Sequence, residues 1–163
     1  RVRRQRQMCI RDRYQTTLRR MCFVILRDEE LAKDAVQDTF LKAYKNIAVF
    51  RGECSEKTWL MRIAVNTCRD VKRSVWFRLL DRRVTPEDLP TPIAQTSEKA
   101  VELTIEIMKL SPKLKEVIIL YYYQQMTTRE IADVLNIPQS TVTTRLKRAK
   151  EKLRFLLEGG NEQ

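Results

Sequence analysis

The residue types that most often carry out reactions are thinly represented in this chain. Its 163 residues include no histidine, and the four cysteines, Cys9, Cys22, Cys54 and Cys68, are scattered without a C-x-x-C spacing. A zinc site would have to gather distant thiolates, and a disulfide framework does not suit a helical cytoplasmic protein. Two of the three glycines, Gly159 and Gly160, sit in the tail, so no glycine-rich loop is available to cradle a phosphate. The carboxylates Asp28, Glu29 and Glu30 stand where a helix start already accounts for them. These absences argue against an enzyme and call for no cofactor and no metal. What remains is the chemistry of binding. Arg145, Lys147 and Arg148 follow a run of small hydroxyl residues, Ser140, Thr141, Thr143 and Thr144, as suits contacts to base edges and phosphates. Earlier, Phe50, Arg51 and Gly52 precede small polar residues and a basic helix. That grouping suits single-stranded nucleic acid, with aromatic rings available for stacking.

Charge agrees with a polyanionic partner. The formal net charge is +11, and leaving out the six arginines and one aspartate of residues 1–13 lowers it to +6. Residues 1–13 show no helical apolar period and read as a disordered or non-native arm, outside the fold. The apolar runs fall short of the about eighteen residues needed to cross a membrane, and no signal peptide is visible, so a cytoplasmic protein without membrane insertion is expected.

The elements that must position these residues are helices. Leu, Ala, Lys, Arg and Glu run between sparse breakers, which favours helix over strand. Pro86, Pro90 and Pro92 fall within seven residues and prevent a continuous helix. They place a flexible linker at 78–100 between two small helical domains, 14–77 and 101–157, with a tail at 158–163. The expected fold is therefore all-α.

In the first domain Asp28 can cap a helix whose apolar stripe is Leu31, Ala35, Val36, Phe40, Ala43, Tyr44 and Ile47. Asp34, Gln37, Asp38, Lys42 and Lys45 lie on its outer face. After the break at residues 50–55 comes a second amphipathic helix, with Trp59, Leu60, Ile63, Ala64, Thr67 and Val71 turned inward. On residue pattern alone, Phe50 and Trp59 are core candidates as much as stacking platforms. In the second domain Ser111 and Pro112 open a helix over KLKEVIILYYYQQ. Thr127 and Glu130 have the spacing of a capping box. The short helix that follows has Ile131, Ala132 and Leu135 inward, the turn is plugged by Ile137, and Ser140 is placed to cap a longer basic helix anchored by Val142 and Leu146. A short helix, tight turn and basic helix define a helix-turn-helix.

These segments, in this order, resemble the bacterial sigma-70 family, specifically its extracytoplasmic-function group of RNA polymerase sigma factors. The run DEELAKDAVQDTFLKAYKNI is similar to the family's polymerase-binding helix. FRGECSEKTWLMRIAVNTCRDVKR is similar to its minus-ten segment, and the stretch from Leu110 to Arg154 to its minus-thirty-five module. The resemblance implies an alternative sigma factor that binds core RNA polymerase and directs promoter recognition and DNA melting. It implies that Asp34, Gln37, Asp38, Phe40 and Leu41 grip the polymerase. Phe50, Arg51, Gly52, Ser55, Thr58, Trp59, Asn66, Arg69 and Arg73 would meet the non-template strand at the minus-ten element, with Lys72 beside them. Ser140, Thr141, Thr143, Thr144, Arg145, Lys147 and Arg148 would meet the minus-thirty-five duplex. An anti-sigma factor is a further implied partner. Residues 1–13 depart from the family's acidic and aromatic start, and Thr143 stands where many members carry Lys or Arg. The competing reading, an ordinary helix-turn-helix regulator whose first domain serves for dimerisation or effector binding, leaves the FRG loop and its basic helix without a purpose.

Overall fold

The computed structural model describes residues 2–74, 87, 89 and 96–158. Among the described residues the regular structure is helical, and no helix is long and apolar enough to cross a membrane. The chain divides into two compact units, Arg1–Leu80 and Asp81–Gln163. The division falls inside the segment expected to be a linker, whose three prolines lie outside the described residues.

Unit 1 packs three helices: α1 (Val2–Leu26), α2 (Glu29–Asn46) and α3 (Glu56–Arg73). The α1–α2 turn is short because Arg27 adopts a left-handed conformation at φ 56°, which ends one helix and lets Asp28 start the next. Asp28 Oδ1 accepts from the Leu31 amide at 2.8 Å, the cap expected from sequence. The core is filled by Leu18, Met21, Cys22 and Phe23 of α1, Ala35, Val36 and Phe40 of α2, and Leu60, Met61 and Ala64 of α3. On α3 the inward face is rotated from the expected one. Met61, Val65 and Cys68 are buried with Leu60, Ala64 and Thr67, whereas Trp59, Ile63 and Val71 are only half-buried. Packing against two helices at once widens the buried arc beyond the single stripe assumed from the sequence.

The reading of residues 1–13 as an arm outside the fold is corrected in one respect: residues 2–13 are the first half of α1. Ile10 is buried, the Tyr44 hydroxyl donates to the Gln7 carbonyl at 3.1 Å, and Arg13 pairs with Glu56 at 3.3 Å. One buried apolar residue in three turns leaves no periodic signal, so the helix was illegible from pattern.

Unit 2 holds α4 (Glu98–Lys109), α5 (Pro112–Ile118), a π-helical turn (Ile119–Tyr123), α6 (Thr128–Leu135) and α7 (Gln139–Leu157). Helix α4 begins within the stretch read as linker, capped by Ser97, whose side chain accepts from the Ala100 amide. The helix expected to run through KLKEVIILYYYQQ is instead broken by the π turn, and Ser111, although at the cap position, makes no side-chain cap bond. The Thr127–Glu130 capping box is present with both reciprocal bonds, at 2.8 and 3.2 Å. Ile131, Val134 and Leu135 form the buried face of α6, with Val134 in the role expected of Ala132.

Candidate nucleic-acid and polymerase interfaces

In unit 2 the turn between α6 and α7 is made by Asn136 at φ 53° and ψ 51°. Asparagine tolerates this left-handed conformation better than most residues. The Ile137 amide then closes back onto the Ala132 carbonyl at 3.1 Å, and the Gln139 side-chain amide donates to Thr128 Oγ1 at 2.8 Å. These bonds hold α7 against α6, and Val142, Leu146, Ala149 and Leu153 bury one stripe of α7. The helix starts one residue earlier than expected: Pro138 is at the cap, Gln139 is the first helical residue, and Ser140 is not the cap.

The opposite stripe of α7 carries the candidate duplex contacts. Ser140, Thr143, Thr144, Lys147 and Arg148 are exposed, and Thr141 and Arg145 are half-buried. Arg145, Lys147 and Arg148 take part in no ion pair among the described residues, so their charge is available to an external anion. The Thr143 and Thr144 hydroxyls donate to the Gln139 and Ser140 carbonyls, at 3.1 and 3.0 Å. They therefore present oxygen lone pairs and methyl groups outward. That suits acceptance from a base amino group, or contact with a thymine methyl, without any rotation of the side chain.

In unit 1 the loop between α2 and α3 turns at Gly52, whose φ of 74° a side chain would resist. Ser55 caps α3 by accepting from the Thr58 amide at 3.1 Å, and donates its own proton to Thr58 Oγ1 at 2.9 Å. Phe50 and Trp59 stack with ring centroids 4.7 Å apart, and both are half-buried. They bracket the loop as an aromatic pair with an open side. Arg51, Gly52 and Ser55 are exposed. Thr58 is only 2 % exposed, so its place is within the loop's support and not among the contacts.

Further along α3, Asn66 and Arg73 are exposed and Arg69 is half-buried. Arg73 pairs with Asp70 at 3.2 Å, and Lys42 of α2 reaches Asp38 at 2.9 Å, Asp70 at 3.8 Å and Thr67 Oγ1 at 3.2 Å. Lys42 thus ties the outer face of α2 to the polar face of α3. The sequence reading placed Lys42 only on a solvated face, since a bond between residues 25 apart leaves no local signal.

On α2, Asp34, Gln37 and Leu41 are exposed and Asp38 is half-buried beside Lys42. Leu41 keeps half of its surface in water, a conspicuous apolar spot among acids. Phe40 is corrected: at 4 % exposure, and stacked on Tyr44 at 6.1 Å, it belongs to the core and cannot reach a partner's surface.

Two all-α units, one a helix-turn-helix with an uncompensated basic stripe and one with an aromatic-flanked loop ahead of a polar helix, define a DNA-binding protein of two modules. Comparison with known proteins gives the same division. The model of Sigma-70 region 2 matches residues 10–78, and that of Sigma-70, region 4 matches residues 100–153. The chain is 31 % identical over 157 residues to the ECF RNA polymerase sigma factor SigW of Bacillus subtilis, covering 88 % of this chain and 84 % of that one. It is 37 % identical over 143 residues to the RNA polymerase sigma factor YlaC of the same organism, covering 82 % of each. Among solved structures it matches CnrH in complex with the cytosolic domain of CnrY, with a TM-score of 0.76, 25 % identity and 97 % of this chain and 91 % of that one covered. The fold also matches the sigma factor RpoE in complex with the anti-sigma factor NepR from Bartonella quintana, at a TM-score of 0.74, 22 % identity and 93 % and 98 % coverage. The chain belongs to the sigma-70 family, in its extracytoplasmic-function (ECF) group.

Proposed function

We propose that the chain acts as an alternative sigma subunit, joining core RNA polymerase and selecting and opening promoters by binding alone, without catalysing a reaction itself. The observation that carries this reading is the pairing of a duplex-reading surface on α7 with an aromatic-flanked loop and polar helix in unit 1, in the family's order. A plain repressor needs only the first.

The physical division of labour follows from the surfaces. The amino-terminal half of α7 enters a major groove, where Thr143 and Thr144 face base edges and Arg145, Lys147 and Arg148 neutralise phosphates. Counterion release makes this binding strongly salt-dependent. In unit 1, melting the minus-ten segment costs roughly a few kcal/mol for each base taken out of the stack. Stacking an unpaired base on an aromatic ring returns about 1–3 kcal/mol. The Phe50–Trp59 pair and the Gly52 turn supply such a platform, with Arg51, Asn66, Arg69 and Arg73 along the strand's backbone and edges. Arg73 must exchange Asp70 for a phosphate as it engages. Asp34, Gln37, Asp38 and Leu41 form the face offered to the polymerase, an apolar anchor ringed by acceptors. The structural neighbour RpoE, solved with the anti-sigma factor NepR, supports an anti-sigma protein as a second partner, and the working compartment is the cytoplasm, where the polymerase is.

The test is run-off transcription with purified bacterial core polymerase on a promoter library, with and without the protein. New start sites that depend on the protein, and that share minus-thirty-five and minus-ten sequences, are expected. Core polymerase that gains no initiation, with the protein shifting two-fold symmetric duplex sites on its own, would assign the chain to the repressor class instead.

A further inference from the structure

Charged side chains of alternating sign run from the outer face of α2 onto the polar face of α3 and join the two candidate surfaces of unit 1. Asp38 holds the Lys42 ammonium at 2.9 Å across one helical turn. The same ammonium stands 3.8 Å from Oδ2 of Asp70, whose Oδ1 accepts from Arg73 at 3.2 Å. Lys42 also donates to Thr67 Oγ1 at 3.2 Å. Thr67 is buried, and its own proton goes to the Ile63 carbonyl at 2.8 Å. Its oxygen is therefore a fixed acceptor that holds the ammonium between the two carboxylates.

The two distances rank the contacts. At 2.9 Å Lys42 and Asp38 form a hydrogen-bonded ion pair, whereas 3.8 Å to Asp70 is beyond hydrogen-bond range. Lys42 is thus engaged with Asp38 and only attracted by Asp70. Asp70 retains Arg73, and its negative field opposes a DNA backbone at the point where Arg73 would meet it. A cation of the polymerase that pairs with Asp38 reverses the ranking. Asp70 then becomes the better carboxylate for Lys42, which has to move only about 1 Å to make a hydrogen bond. Lys42 neutralises Asp70, and Arg73 is released to a phosphate. The four side chains keep between 39 % and 74 % of their surface in water, so solvent screens each pair and the effect is a few-fold one.

We propose that Lys42 is a positioning residue for strand binding: through Asp38, Lys42, Asp70 and Arg73, occupation of α2 by the polymerase frees Arg73 of α3 for the unpaired strand. The relay rests on the reading of α2 as the polymerase face and α3 as the strand face, and it adds the order in which the two engage. By linkage it is reciprocal: a strand that captures Arg73 draws Lys42 toward Asp70 and bares Asp38 for the polymerase.

Asp38→Asn imitates the occupied acid without polymerase, which makes the relay testable in the full-length chain alone. Fluorescence anisotropy of a labelled oligothymidylate at low salt should show binding about two- to fivefold tighter for Asp38→Asn than for the unaltered chain. The gain should vanish in a Lys42→Met background, which keeps the aliphatic stem and removes the charge. It should vanish equally with Arg73→Ala, and survive Arg148→Ala in unit 2. A merely structural role for Lys42 would not carry the effect of Asp38 to Arg73. In the holoenzyme Arg73→Ala should cost more strand affinity than in the free chain, and Lys42→Met should erase that difference. No gain from Asp38→Asn, the same gain with and without Lys42, a gain lost with Arg148→Ala, or an equal cost of Arg73→Ala in free chain and holoenzyme would each overturn the relay alone. Strand affinity indifferent to Arg73→Ala in both would remove the relay together with the assignment of Arg73 to the strand.

Discussion

Arg148 lies on the exposed stripe of α7, little more than a turn from the exposed threonines. Replacing it by alanine is expected to weaken binding to all duplex sequences alike, and to reduce the slope of log affinity against log salt by about one charge. Filter binding or fluorescence anisotropy of the holoenzyme across a salt series measures this, and an unchanged slope would remove Arg148 from the phosphate contacts. The cysteines divide in the same residue-by-residue manner. Cys22 and Cys68 are fully buried with their sulfurs 3.5 Å apart, whereas Cys9 is exposed and Cys54 half-buried. The sulfur–sulfur hydrogen bond with Cys68 and the surrounding apolar core push the Cys22 thiol well above the ordinary cysteine range. Brief treatment of the folded protein with iodoacetamide should therefore modify Cys9 and Cys54 and spare Cys22 and Cys68 until denaturant is added. Peptide mass spectrometry reads the outcome, and labelling of Cys22 in the native protein would contradict the packing of α1 on α3.

At the scale of the element, the helix-turn-helix depends on a short helix held at both ends. Helix α6 has only eight residues, too few to persist by propensity alone. Its start is secured by the reciprocal Thr127 and Glu130 bonds, and its end by the left-handed Asn136. Thr127→Ala removes one of these bonds from an exposed cap and should cost about 1 kcal/mol of stability in unit 2. Urea unfolding followed by hydrogen exchange of the α6 amides should show the loss, and Thr127→Ser should restore most of it. If Thr127→Ala leaves those amides as protected as before, packing of Ile131, Val134 and Leu135 alone fixes α6. Helix α7 needs no such cap, since nineteen residues with a buried stripe carry it.

At the scale of the whole molecule, each unit has its own hydrophobic core. Leu60 lies in the core of unit 1 without measurable exposure. Leu60→Ala should cost about 2–5 kcal/mol by leaving a cavity. Native-state hydrogen exchange is expected to show weaker protection across α1, α2 and α3, with α6 and α7 unaffected. Loss of protection in both units would mean that they fold as one cooperative body.

Much of this was legible in local sequence. Where a signal repeats within one helix or at its cap, it could be read: Asp28 ahead of α2, the full extent of α3, the Thr127–Glu130 box, the basic stripe of α7. The exposed positions Asp34, Gln37, Asn66, Thr143, Thr144, Lys147 and Arg148 follow from helical period alone. Tertiary packing decided the rest. Phe40 belongs to the apolar stripe by period and to the polymerase face by resemblance, and the structure buries it; Thr58 looks like a contact in a motif, yet it is spent on the Ser55 cap. The first half of α1 shows almost no apolar period, and takes its place through Ile10 and through partners on α2 and α3. The π turn and the Lys42 bridge have no sequence signature, because each joins residues that only the packed fold makes neighbours. Period and capping chemistry act over four residues or fewer, so α2, α3, α6 and the basic face of α7 could be read locally. Which side chains were left to meet a partner depended on contacts between helices, and those only the tertiary structure could decide.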